Sequence, residues 1–289
     1  MLSLYFQVDY TGKHCTGEAL SHQWTIIEAL GINIKRVPKL QSLKIFGWLD
    51  VRKSISLFEK AHIARLTASL RHLNFSLPMG AEGQDSLAEL HELFWKNVVV
   101  RHMLKPAINL ESLAIKRDAF DAQFFDISQL VTYPRLVALS LKNIVWEDGT
   151  TGQGGTVVPS PLEDFIVRHG KTLKILKLSR CSIMVKEYGR VLPLCYWADV
   201  YERLANALTE LVELEVRPDE MPYLSSTRPP NMVMLWNYYR LKRLDGIERD
   251  EEALREFKEV VKERAMDTGL EFDREAKGWS GWDQESDEE

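Results

Sequence analysis

Six times along this chain, two leucines three residues apart are followed two residues later by another large apolar side chain. The copies are Leu40-Leu43-Ile45, Leu70-Leu73-Phe75, Leu110-Leu113-Ile115, Leu136-Leu139-Leu141, Leu173-Leu176-Leu178 and Leu211-Leu214-Val216. The last two apolar residues of each copy point to one side of an extended strand, because side chains alternate with period two. The first leucine packs as the chain enters that strand. A strand this short, apolar on one side only, does not stand alone, whereas stacked copies bury a continuous core. The intervals between first leucines are 30, 40, 26, 37 and 38 residues, so the units are long and divergent. Leu2-Ser3-Leu4-Tyr5-Phe6 reads as a seventh strand that lacks the upstream half of its unit.

Parallel strands need crossovers, and these are usually helical. Ser160-Pro161-Leu162-Glu163 has the form of a capping box with Pro at the first helical position, ahead of Phe165, Ile166 and His169, and Gly170 stands where a stop is expected. Ser86 and Glu89 predict a second capped helix carrying Leu90, Leu93, Phe94, Val98 and Met103. Trp197, Val200, Leu204 and Leu208 repeat at helical spacing before Leu211, as Phe58, His62 and Leu66 do before Leu70. The expected fold class is therefore α/β: a leucine-rich-repeat-like solenoid, or horseshoe, with a parallel sheet on the concave face and helices on the convex face. Residues 1–247 form it. A charged helix over 248–270, with the apolar stripe Ala253, Phe257, Val260, Val261 and Met266, is a candidate cap for the open end. Residues 271–289 read as an acidic disordered tail.

That tail dominates the charge. The whole chain carries −5, yet from Glu271 to Glu289 there are eight acidic and two basic residues, which leaves the body close to neutral. The tail reads as a solubilising segment or, through Trp279 and Trp282, as a short docking motif whose aromatics anchor a partner. No apolar run approaches the roughly 18 residues of a membrane span, and no secretory signal is visible at the start. The three cysteines, Cys15, Cys181 and Cys195, are odd in number and widely spaced, which fits a reducing, intracellular compartment, cytoplasmic or nuclear.

The fragments that invite an enzymatic reading fail on spacing. Gly170-Lys171-Thr172 lacks the glycine that a phosphate-binding loop needs five residues earlier, where Phe165 stands. The glycine-rich stretch 149–155 is followed by no Gly-Lys-Ser/Thr and reads as a flexible surface loop. His91-Glu92 would need a second histidine at position 95, which is Trp. No cysteine pair has zinc-ligand spacing. His62 and His169 fall on apolar helix faces, where hydrogen-bonded packing is the expected role. The expectation is a non-enzyme with no cofactor and no metal.

The run Leu162-Glu163-Asp164-Phe165-Ile166-Val167-Arg168-His169-Gly170-Lys171-Thr172-Leu173, the following Leu176-Lys177-Leu178 and Cys181-Ser182-Ile183, then Trp197-Ala198-Asp199-Val200 and Leu211-Val212-Glu213-Leu214, resemble the leucine-rich-repeat-like C-terminal halves of fungal F-box proteins. Phe94-Trp95, Leu104-Lys105-Pro106 and Asn109-Leu110-Glu111-Ser112-Leu113 are similar to the same family. The likeness spans about residues 35–245. It implies the target-binding part of a cullin–RING ubiquitin ligase subunit. The F-box opening, L-P-x-E ahead of a leucine-rich helix, does not occur in residues 1–35, so binding of the ligase adaptor is expected only if such a segment stands upstream. The alternative is a free-standing interaction scaffold with no ubiquitin role.

In either case the partner-binding surface is expected on the concave side, at positions beside the core leucines: Lys44, Phe46, His72, Asn74, Lys116, Ser140, Lys142, Lys177, Ser179, Glu215 and Arg217. Lysines 44, 116, 142 and 177 are either solvated side chains at exposed strand positions or a basic stripe suited to an acidic segment of a protein target. Nucleic acid is not expected, because the chain is net acidic, and neither is a membrane. In leucine-rich repeats the position three beyond the motif turns the chain away from the strand. It is Cys181 in one copy and Asp118, Asp219, Trp48, Pro78 and Ile144 in the others.

Overall fold

The fold is taken from a computed structural model of the chain, which describes residues 1–5, 25–26, 29–30, 32, 40–46, 61–77, 95–117, 131–147, 150–151, 157–185, 195–216, 221, 223–227, 237–240 and 247–269. Each expected strand forms: β1 (Leu2–Tyr5), β2 (Ser42–Phe46), β3 (His72–Leu77), β4 (Ser112–Arg117), β5 (Ala138–Lys142), β9 (Ile175–Ser179) and β11 (Glu213–Val216). They make one seven-stranded sheet in the order β1-β2-β3-β4-β5-β9-β11, and every pairing is parallel. The protein is thus α/β with a parallel sheet whose strands follow one another in chain order. The register runs through the motif: Leu2, Leu43, Leu73, Leu113, Leu139, Leu176 and Leu214 are successive partners. The upstream leucines Leu40, Leu70, Leu110, Leu136, Leu173 and Leu211 are all buried in the same core.

The turns that precede the strands are bonded to one another as well. Arg71 N donates to Gln41 O, Glu111 N to Arg71 O, Val137 N to Glu111 O, Lys174 N to Val137 O and Val212 N to Lys174 O, at 2.7–3.0 Å. These bonds extend the sheet's ladder beyond the strand starts and satisfy backbone groups that the turns would otherwise bury unmet.

Among the described residues, five helices accompany the sheet, and their buried apolar residues share one core with the motif leucines: α1 (Ala61–Ala68), α2 (Trp95–Leu104), α3 (Pro161–Val167), α4 (Trp197–Ala207) and α5 (Ile247–Thr268). The helical spacing read into Leu66, Trp197, Val200, Leu204 and Leu208 is matched, since all five are buried. Phe58, and the capping box at Ser86 and Glu89, lie outside the described residues. The helix expected after that box is wound as a π-helix rather than an α-helix. Its buried residues Val99, Val100, Met103 and Leu104 follow the wider turn, and Lys105 N bonds back five residues to Val100 O at 2.9 Å. Ser160 caps α3 by accepting from Glu163 N at 3.2 Å, with Pro161 opening the helix. The capping box is only half realised, because the Glu163 carboxylate pairs with Arg203 of α4.

A second sheet was not expected from the repeats. β6 (Val145–Glu147), β10 (Ser182–Val185) and β12 (Tyr223–Thr227) are parallel neighbours, and β13 (Asn237–Arg240) closes the order β13-β12-β10-β6 antiparallel. Asn143 (φ 57°) and Arg180 (φ 50°) turn the chain from β5 into β6 and from β9 into β10. Trp146, Ile183 and Tyr223 share one row of this sheet and are buried. Trp146 meets Trp197 edge-on at 5.2 Å, and Trp197 stacks on Tyr201 at 5.7 Å. The glycine-rich stretch read as a loop is bracketed by a short hairpin, β7 (Thr150–Thr151) with β8 (Val157–Val158), where β-branched residues flank the glycines.

α5 packs against α4 and β11. Ala253, Leu254, Phe257 and Val261 are its buried stripe, while Met266 is 68% exposed, a correction to the expected stripe. At about 100° per residue, Met266 lies nine positions from Phe257 and so half a turn away from it. The two helices run in the same direction. Asp250 Oδ1 accepts from Ala198 N at the start of α4 (2.8 Å), and Arg264 donates to Ala205 O and Leu208 O at its end (2.9 and 2.8 Å). An anion at the N-terminus and a cation at the C-terminus offset the dipole of α4.

Two residues give direct tests of this packing. Gly170 has no positive φ, so its freedom as a helix stop is not what the site uses. A Cβ there would overlap the Ala207 carbonyl at the end of α4. Gly170→Ala is expected to lower stability by about 1–3 kcal/mol through overpacking. Urea denaturation with far-UV dichroism reads this, and an unchanged midpoint would mean the turn can move off α4. His169 is buried, its Nδ1 donating to Phe165 O (2.7 Å) and its Nε2 accepting from Tyr133 N (2.9 Å). Burial, assisted by Arg168, lowers its pKa below 6.5 despite the Phe165 carbonyl. Protonation removes the acceptor for Tyr133 N–H. The unfolded chain therefore takes up the proton first. Stability from this group is complete above about pH 6.5 and is lost as pH falls below that value and through the folded pKa. His72, also lowered chiefly by burial, acts in the same direction. A His169→Gln variant should flatten the decline in urea midpoint between about pH 7 and pH 5.5. An equal decline in both proteins would locate the proton elsewhere.

Candidate interaction face

Residues that alternate with the core leucines make the other face of the large sheet, and the register assembles them into three rows. Ser42, His72, Ser112, Ala138, Ile175 and Glu213 form the row at the strand starts. The middle row is Ser3, Lys44, Asn74, Ala114, Ser140, Lys177 and Glu215. At the strand ends lie Ser76, Lys116, Lys142 and Ser179, with Phe46 across from Tyr5 at the β1 side. Every described residue expected on this face is therefore on it; Arg217 lies outside the described residues.

The four lysines do not form one stripe. Lys116 and Lys142 are direct cross-strand partners. Lys44 and Lys177 sit one row lower, four strands apart, which is about 19 Å at a strand spacing of about 4.8 Å. Lys177 is also matched locally, its Nζ lying 3.1 Å from Glu215 Oε2 on the next strand. Spacing along the chain shows which side a lysine takes; only the pairing of strands shows its row and its neighbour.

Much of the face is not solvent-exposed. Asn74, Ser76, Ser112, Ala114 and Ile175 are buried, and His72 Nδ1 lies 3.2 Å from Ser112 Oγ. Small side chains at the centre give a shallow floor, flanked by the longer Lys44, Lys116, Lys142 and Lys177, all of intermediate exposure.

The other concentration of ionisable groups joins α3, α4, β12 and α5. The Tyr223 hydroxyl accepts from Trp197 N (2.7 Å) and donates to Asp250 Oδ2 (2.6 Å), while Asp250 Oδ1 takes Ala198 N–H. Arg249 Nη2 lies 2.7 Å from Asp199 and 3.2 Å from Glu202. Arg203 pairs with Glu163, and its Nη2 also lies 3.2 Å from Cys195 Sγ. Burial raises the Asp250 carboxyl against the opposing pull of Tyr223 and Ala198 N. Burial also raises Glu163, while the Arg203 guanidinium favours its ionised form. Burial pushes the Cys181 thiol up to about 12 and the Cys195 thiol up to about 11. Both are thus held as thiols at neutral pH, unlike a nucleophilic cysteine. Cys181, at the turn position after its repeat, donates to Leu141 O at 3.5 Å, as a chain-turning residue would; the equivalent Ile144 is likewise buried. The chemistry of this cluster is that of helix capping. Among the described residues, no group of three or more His, Cys, Asp or Glu is placed to hold a metal, and no helix is long and apolar enough to cross a membrane.

Comparison of the chain with protein-family models, with curated proteins and with solved structures gives no match in any of the three.

If Asp250 and Tyr223 cap α4 as one unit, their removals are coupled. Asp250→Ala is expected to cost about 1–2 kcal/mol, the scale of a lost N-cap. Added to Tyr223→Phe, the double variant should be less destabilised than the sum, with a coupling energy of about 1 kcal/mol. Additive losses in denaturant melts would mean that the two groups act separately.

Proposed function

We propose that this chain is a noncatalytic protein-recognition module: a leucine-rich-repeat-like solenoid that takes an acidic segment of a protein target on its strand face. The observation that carries this reading is the cross-strand pair Lys116 and Lys142 at the ends of adjacent parallel strands. Strand pairing brings two ammonium groups side by side, a local concentration of positive charge that an acidic segment laid across β4 and β5 would complement. Ser140, of intermediate exposure, lies one row below the pair and offers a hydroxyl to the same ligand. Parallel strands succeeding one another in chain order support the repeat reading, since each unit then contacts mainly its neighbours. The resemblance to the target-binding halves of F-box subunits suits such a module to a cullin–RING ubiquitin ligase. Contact with the ligase adaptor would then depend on an F-box supplied upstream. Cys181 and Cys195, both buried thiols, suit an intracellular setting.

The experiment uses the full chain and a fluorescent glutamate- and aspartate-rich peptide. Lys116→Glu with Lys142→Glu should weaken peptide binding by about tenfold, equivalent to about 1.4 kcal/mol, with most of the change in association rate and a reduced salt dependence. The thermal midpoint should stay within the small range of surface substitutions. Unfolding of the double variant would make these lysines structural. Undiminished binding would move the ligand to another surface.

A further inference from the structure

The bonded turns at the strand starts form a continuous rim along one end of the large sheet. The segments 69–71, 105–111, 131–137, 168–174 and 208–212 carry Arg71, Lys105, Arg135, Arg168, Lys171 and Lys174 against only Glu111 and Glu210. Arg71 lies 3.4 Å from Glu111, which leaves the basic excess concentrated where β5 and β9 begin, beside the single acid Glu210 at the start of β11. Arg135, Arg168 and Lys171 are exposed there. This rim is at the opposite end of the strands from Lys116 and Lys142, and its chemistry is independent of the proposed function.

α5 delivers the chain to the same place. Its Arg264 is bonded to Ala205 O and Leu208 O at the end of α4, and the Gly170 turn packs on Ala207 of that same helix end. The last turn of α5 is therefore separated from Arg168 and Lys171 by little more than the end of α4. Gly269, at φ 59°, turns the chain out of the helix. Beyond it, the sequence from Glu271 to Glu289 carries eight acidic side chains and two basic ones. From Arg264 to Gly269 the helical rise is about 8 Å, and Glu271 to Glu275 add at most about 3.5 Å per residue. The first three acids thus reach the rim without stretching. To reach the Lys116–Lys142 pair, the same segment would have to travel about 17 Å further along the strands and round to the other face.

We infer that the acidic segment 271–289 docks in cis on the basic rim formed by the turns into β5 and β9. Glu271, Asp273 and Glu275 lie nearest Lys171 and Lys174, and the later acids extend toward Arg135 and Lys105.

Zero-length carbodiimide coupling of the intact chain, followed by peptide mass mapping of the monomer band, tests this. Carboxylates of 271–289 should couple to Lys171, Lys174 or Lys105. The yield should fall about fivefold at about 1 M salt, where the Debye length is about 3 Å. Arg135→Glu should lower it comparably without moving the thermal midpoint, because that side chain is exposed. Links confined to a dimer band would make the docking intermolecular and overturn the inference. So would links to Lys116 and Lys142 in place of the rim, links spread evenly over exposed lysines such as Lys262, or a yield indifferent to salt and to Arg135→Glu.

Discussion

Each strand of the large sheet takes its place through two core positions two residues apart. The row Leu2, Leu43, Leu73, Leu113, Leu139, Leu176 and Leu214 is followed by Leu4, Ile45, Phe75, Ile115, Leu141, Leu178 and Val216. A slip of one residue in any strand would exchange its two faces. In β4 it would turn Leu113 and Ile115 away from the core and drive Lys116 into it. Full burial of each apolar side chain is worth about 1.5–3 kcal/mol, and burial of an unpaired ammonium costs more than that. Register is therefore the constraint on which the rest depends, from the positions of the helices to the rows of the opposite face.

Parallel strands make the constraint propagate. The hydrogen bonds of each strand and of the turn before it are met by the next unit, so misplacement of one unit would leave its neighbours' backbone groups unmet. The ladder from Gln41 to Val212 through Arg71, Glu111, Val137 and Lys174 carries this order past the strands themselves. It also explains why charge gathers along the rim. Side chains just before each strand are brought side by side about every 4.8 Å, whatever their separation in the chain.

The far end of the core is organised differently. Among the described residues, β5, β9 and β11 are each followed by a short second strand. The row Trp146, Ile183 and Tyr223 packs here with Trp197 and Tyr201 of α4. α4 is tied there by groups distant in sequence, with Tyr223 and Asp250 at its start and Arg264 at its end. Tyr223 and Asp250 look like a reactive pair by composition alone, yet their bonds go to the first turn of a helix. A carboxylate at that position complements the helix dipole and satisfies amides that have no partner within the helix.

The sequence by itself determined the strands of the large sheet and the side each residue takes, because a period of two needs no knowledge of the neighbours. It also determined the start of α3 and the buried face of α4, for capping and helical spacing are local, and it marked His169 as a hydrogen-bonded packing histidine. Tertiary structure alone decided the rest. Lys116 and Lys142 are neighbours while Lys44 and Lys177 stand apart, because rows exist only once strands pair. Glu163 left its capping box for Arg203, Gly170 is required by the end of α4 rather than by its own turn, and Met266 left the apolar stripe of α5. For Lys116, Glu163 and Gly170 the deciding partner is a residue far away in the chain, beyond the reach of any local pattern. The second sheet escaped the repeat pattern for a related reason: its strands carry no copy of the leucine motif, and they gain their hydrogen bonds only from one another.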